Sequence, residues 1–235
     1  KAFLQCQFLS TSKGMELTTR QLMHEVLGAV FPKSRERIAA LIGANLASHV
    51  FTRQPVTGAI AGPSSATAEI KKYFTSSPLF RAYETNAIYQ LELAGAVKNV
   101  HAIAAGLASG LGFEESTIAS LMGRALSELS RLIEGCRHEP YPIYTAGGVV
   151  EDYALSLVSG KTRNFRAGQE FVKNRELPKT YLAEGADSAQ PILDLAREKE
   201  IKMPIIEAVV AVLTGKITPK DAAQLLMIDG QEAKF

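Results

Sequence analysis

The chain has 235 residues, 46% of them hydrophobic and 21% charged, with a formal net charge of +2. At about 150 residues per domain that makes one large or two small domains with enough apolar residues for a packed core, and it excludes a disordered chain. So small and even a charge also excludes a nucleic-acid surface of clustered Lys and Arg. The longest charge-free runs, of about 15 residues, fall short of the ~20 that a membrane span needs. Cys6 and Cys136 make no disulfide framework, and His24, His49, His101 and His138 follow no zinc spacing. With no signal peptide visible, a cytoplasmic protein is expected, with no metal, nucleic-acid or membrane partner.

Ala2 to Leu9 alternates apolar residues with Gln5 and Gln7 and reads as a strand, ending in Ser10-Thr11-Ser12-Lys13-Gly14. The chain opens on it from Lys1, so these residues are expected to belong to a longer polypeptide. Thr18 and Gln21 form a capping-box pair ahead of a helix whose Met23, Val26, Leu27 and Val30 share a face. Arg37 to Ile42 reads as a second strand, Val56 to Ile60 as a third, Ala66 to Phe74 as a helix and Phe80 to Tyr83 as a last strand. Alternating strands and helices predict an α/β layer with partly parallel strands.

From Asn86 the pattern is helical. Leu93, Val97, Val100, Ala104 and Leu107 form an apolar stripe, and Ile118 to Leu132 a second amphipathic helix with Arg124 and Glu128, four apart, on its solvated face. Pro204 starts a helix carrying Ile206, Val209, Val210 and Leu213. Thr218 to Asp221 then caps a last one with Ala222, Leu225 and Leu226 inside. The expected fold class is α/β plus all-α: a partial α/β domain over residues 1–85, a helical domain over 86–229 and a tail at 230–235.

Lys98 stands mid-helix among Ala94, Gly95, Val97, Val100 and Ala102, where a surface lysine would have polar neighbours. Composition leaves two readings open, a lysine snorkelling from a helix edge or a desolvated ammonium tuned for proton transfer. Arg163-Asn164, after Ser159-Gly160-Lys161-Thr162, reads as a solvated turn or as a fork for a phosphate or carboxylate. Asp152 suits the first turn of a helix, and Cys136-Arg137-His138 reads as exposed loop. No Gly-x-Gly-x-x-Gly occurs; the one Gly-x-Gly, Gly110-Leu111-Gly112, lies between helices.

Together these stretches say more. Glu92-Leu93-Ala94-Gly95-Ala96-Val97-Lys98-Asn99-Val100, running on to Gly110-Leu111-Gly112, resembles the signature of NAD(P)-dependent glycerol-3-phosphate dehydrogenases. Ser12-Lys13-Gly14, Gly43-Ala44-Asn45-Leu46-Ala47, Asp152 eleven residues before Arg163, Ala183-Glu184-Gly185 and Lys202-Met203-Pro204 resemble further landmarks in the family's order. The chain departs from that pattern at His49, at Glu151 and between Tyr144 and Val150.

The resemblance implies the second half of a Rossmann domain, without its glycine-rich turn, followed by a helical substrate and dimerisation domain. It implies hydride transfer between NAD or NADP and a small phosphorylated triose, in a homodimer. Lys98 would be the proton donor and acceptor at the substrate oxygen, Lys13 would polarise that oxygen, and Asp152 would orient the ammonium. Gly43, Asn45, Asn99, Thr162, Arg163 and Asn164 would join these in holding the substrate. Lys13, Ala47, Arg163 and Glu184 would lie on the cofactor side. Two other readings remain at this point, a related hydroxyacid dehydrogenase and a non-catalytic half-Rossmann module serving dimerisation or regulation.

Overall fold

A computed structural model describes residues 6–44, 50–75, 78–137 and 147–228. Strands β1 (Phe8–Ser10), β2 (Ile38–Ile42), β3 (Val56–Ala61) and β4 (Phe80–Thr85) form one sheet in that order. β1 runs parallel to β2 and β3 to β4, whereas β2 and β3 are antiparallel. Parallel neighbours need a crossover, and helices α1 (Met23–Val30) and α2 (Ser64–Phe74) supply the two. Ile38, Ala39 and Ala40 are buried in succession, so β2 is covered on both faces. Ala39 and Ile60 from the sheet meet Ala66 and Ile70 of α2 in one core cluster.

The remaining elements are helical: α3 (Ile88–Gly110), α4 (Glu115–Arg137), α5 (Val149–Val158), α6 (Arg163–Asn174), α7 (Glu184–Glu198), α8 (Pro204–Leu213) and α9 (Pro219–Ile228). The chain forms two compact units, Lys1–Ala96 with Pro140–Tyr153 and Val97–Glu139 with Ala154–Phe235. The change of texture at Asn86 therefore marks the start of α3, a helix that runs through both units, as α5 does. No helix among the described residues is long and apolar enough to cross a membrane.

Several local expectations change. Within the described residues β1 begins at Phe8 rather than at Ala2, whose neighbourhood lies outside them. Helix α1 is not capped by Thr18 and Gln21. Glu16 draws Thr19 into a turn of its own, and Glu25 reaches back to the backbone N–H of Leu22, one residue before the helix. Val30, the last residue of α1, is 63% exposed, and Leu225 is 49% exposed because its neighbour Leu226 takes the inward side of α9. Cys136 belongs to α4 and not to a loop.

The largest correction is Glu128. It is 1% exposed, turned inward from α4 so that Oε2 meets His101 Nε2 at 3.1 Å and Oε1 accepts the Ile205 N–H at 2.5 Å. That N–H is one of the orphan donors in the first turn of α8, so the carboxylate caps a helix on which it does not itself lie. Nor is α3 apolar on one stripe only: every residue from Leu91 to Leu107 is buried. Its glycines admit backbone against backbone. A Cβ at Gly106 would stand 1.9 Å from the Phe165 carbonyl oxygen, and one at Gly168 of α6 2.3 Å from that of Ile103.

That crossing yields a paired expectation. Gly106→Ala forces α3 and α6 apart and costs about 3 kcal/mol or more. Gly123→Ala, where a methyl group meets nothing within 4 Å, adds about 0.5–1 kcal/mol through helix propensity. Urea unfolding of the two variants checks this; equal midpoints would show that the crossing is not tight.

Candidate active site

In the first unit the site begins at the carboxyl ends of two parallel neighbours, where open α/β sheets bind ligands. Lys13 follows β1 and Gly43 follows β2. The Lys13 Nζ donates to the Gly43 carbonyl at 3.3 Å and to Asp152 Oδ2 at 2.8 Å. Asp152 is 3% exposed and stands in the first turn of α5, where the helix dipole favours a carboxylate.

Glycines bring that turn against the sheet. A Cβ at Gly148, whose φ is +95°, would lie 2.9 Å from the Ile42 carbonyl oxygen, and one at Gly147 2.3 Å from the Tyr83 ring. Glu151 accepts the Gly148 N–H at 3.0 Å, so this departure from the family pattern braces the start of α5. On α3, Gly95 leaves room for the Lys13 stem, whose Cγ would be 3.6 Å from an added Cβ.

In the second unit Lys98 is 6% exposed, which removes the snorkelling reading. Its Nζ donates to Ser156 Oγ at 2.6 Å. Ser156 was missed in the sequence, although its place four residues after Asp152 puts it one turn on along α5. Thr162 donates to the Ser156 carbonyl at 3.1 Å and precedes α6 as its N-cap residue.

Arg163 and Asn164 open α6 rather than a solvated turn, and Asn164 is 6% exposed. Its Oδ1 accepts the Gly185 N–H at 2.9 Å. The start of α7 thereby lies on α3, where a Cβ at Gly185 would be 2.4 Å from the Asn99 carbonyl oxygen. Glu184 gathers the cluster, accepting from Arg163 Nη2 at 2.7 Å and from Asn99 Nδ2 at 3.4 Å. Arg163 is half exposed, with its remaining donors available to an anion.

Each unit thus assembles its own cluster: Lys13, Gly43 and Asp152 in one, Lys98, Ser156, Asn99, Thr162, Arg163, Asn164 and Glu184 in the other. Asn45, Ala47 and His49 lie outside the described residues, as does the stretch from Tyr144 to residue 146. The described residues contain no group of three His, Cys, Asp or Glu that could hold a metal ion. Toward a nicotinamide cofactor, Lys13 and the Gly43 carbonyl offer a donor and an acceptor at strand ends of the kind that border ligand crevices in open α/β sheets, and the described residues include no glycine-rich turn for its pyrophosphate.

The C-terminal pattern described as NAD-dependent glycerol-3-phosphate dehydrogenase matches residues 88–224, and the corresponding N-terminal pattern residues 3–69. An NAD(P)+ glycerol-3-phosphate dehydrogenase of Brucella ovis is 37% identical over 216 residues, 92% of this chain and 65% of that protein. One from Thermobifida fusca is 35% identical over 223 residues, 93% of this chain and 66% of its own. The chain therefore spans a little under two thirds of the length of these relatives. A glycerol-3-phosphate dehydrogenase structure from Coxiella burnetii superposes with a TM-score of 0.82 at 24% identity, covering 95% of this chain and 69% of its own. One from Saccharomyces cerevisiae gives 0.76 at 18%, covering 94% and 68%. At those identities the structures speak for the fold.

The segment before Glu184 is pinned by Tyr181, which donates to Glu170 Oε1 at 3.0 Å while Arg166 lies 5.2 Å over its ring. Burial, then the Glu170 carboxylate, pushes the phenol up to about 12 from 10.0. A raised acid is stabilising while it keeps its proton, so the fold loses stability as pH rises from about 10 to about 12. Urea midpoints across that window, compared with Tyr181→Phe, test the brace: the variant should show a shallower decline, and an identical one would remove it.

Proposed function

The chain belongs to the NAD-dependent glycerol-3-phosphate dehydrogenase family, and from that premise we propose that it interconverts sn-glycerol 3-phosphate and dihydroxyacetone phosphate. The buried ammonium of Lys98 carries the proposal. A side chain held at that depth sits in a low-dielectric surround, where it acts strongly on charge that develops beside it. A cation so placed stabilises negative charge growing on a ketone oxygen as the carbon is reduced, and can deliver the proton that oxygen needs.

Bound NAD or NADP supplies or accepts the hydride; the chain's own residues do the rest. Ser156 accepts from the Lys98 Nζ and fixes its position. Lys13, steadied by Asp152 and the Gly43 carbonyl, takes the polarising role. Arg163 offers a planar fork to the phosphate, far from the reacting carbon, so that binding energy orients the carbonyl. Thr162 and Asn164 set the position of that fork by tying the start of α6 to α5 and α7. Asn99 and Glu184 hold its far side, Glu184 with a carboxylate that the substrate phosphate can displace. Gly43, Asn45 and Ala47 line the substrate and nicotinamide side. The same reading makes the working protein a cytoplasmic homodimer.

Two substitutions test it. Lys98→Met lowers kcat for dihydroxyacetone phosphate reduction roughly 10²–10⁴-fold with little change in nicotinamide affinity, as expected for a lost general acid. Arg163→Ala raises KM for dihydroxyacetone phosphate about 30–700-fold and leaves unphosphorylated dihydroxyacetone, already a poor substrate, nearly unaffected. A kcat within tenfold of wild type for the first, or equal weakening of both ketones for the second, would overturn the assignment concerned.

A further inference from the structure

Away from these clusters, helices α3, α4, α8 and α9 of the second unit enclose a groove of about 270 Å³. Alanines hollow it: Ala104 and Ala108 on α3, Ala208 on α8, and Ala222 and Ala223 on α9 stand where longer side chains would fill the space. Its wall is apolar apart from Thr117, Ser120 and one charged group among the described residues, Arg124.

Arg124 is half-buried and makes no hydrogen bond or ion pair with any described residue. Its natural partner on a helix would be Glu128, one turn further on. That carboxylate is spent on His101 and on the Ile205 N–H and faces the interior. Among the described residues this guanidinium therefore flanks apolar surface with its donors open to an anion that enters the groove.

We propose that this groove binds the anion of a medium-chain fatty acid, the hydrocarbon chain lying among the alanines and the carboxylate meeting Arg124. The volume suits such a chain, being well above a cavity that takes one benzene ring and just under the range of drug-sized pockets. The chemistry is complementary at both ends: apolar surface for the tail, and five donors in a fork for a carboxylate head. The site uses none of the residues assigned to the dehydrogenase reaction and stands independently of that assignment.

Titration calorimetry of the 235-residue chain with octanoate and with 1-octanol tests it. Octanoate binds with a Kd on the order of 100 µM, at least tenfold tighter than the alcohol of equal chain length. Arg124→Gln removes that advantage and leaves octanol binding unchanged. Ala208→Phe, or Ala223→Phe should the first not fold by circular dichroism, abolishes binding of both. No octanoate binding, equal affinity for acid and alcohol in the wild type, or binding that survives both phenylalanines would overturn the proposal. So would light scattering that shows a dimer which either phenylalanine dissociates, since the groove would then be covered by a second copy.

Discussion

Helix α3 is buried along most of its length and carries Glu92, Lys98, Asn99 and His101 into that interior. Taking such groups out of water costs several kcal/mol for each ion unless a partner stands at hydrogen-bond distance, and the partners dictate what must pack where. Glu92 Oε2 is met by the backbone N–H and the Nδ1 of His24, Lys98 by Ser156, and His101 by Glu128. Each tie joins α3 to a different helix. Among the described residues Glu92 Oε1 is buried without a hydrogen bond, a cost the rest of the packing must offset.

Small residues make those ties reachable. A side chain the size of alanine at Gly106, Gly168 or Gly185 would run into another helix's backbone, so at these contacts the helices approach backbone to backbone. Catalytic groups tolerate displacements of about half an ångström, and they profit from a frame in which backbone rather than flexible side chain sets the spacing. Lys98 and Asn99 lie on the helix that takes part in two such crossings, and Arg163 and Asn164 open the helix that makes one of them.

The polar groups also divide by exposure in a way that suits their chemistry. Lys98, Asp152, Asn164 and Ser156 are almost fully buried, where charge interacts strongly and positions are held. Arg163 and Glu184 are half and one-third exposed, where an ion pair contributes little to stability and can be exchanged for another anion at small cost. The proposed reaction would use both kinds, a fixed acid at the reacting oxygen and an exchangeable grip on the phosphate.

By itself the sequence determined β2, β3, α2, β4 and the helical character beyond Asn86, because local period and turn residues carry that information. It also singled out Lys98, since an ammonium among alanines and glycines conflicts with its neighbours and the conflict is visible in one dimension. Only the tertiary structure decided which polar residues face inward. Glu128 has the spacing of a solvated ion pair and becomes a buried cap because His101 and the Ile205 N–H reach it from other helices. Ser156 carries no motif of its own and acquires its place from the depth of Lys98. The pairing of Lys13 with Asp152 spans 139 residues, a separation over which helical or strand periodicity has no meaning. Such contacts are set by where backbones cross, and that is fixed by glycines whose importance shows only when a second chain segment lies against them.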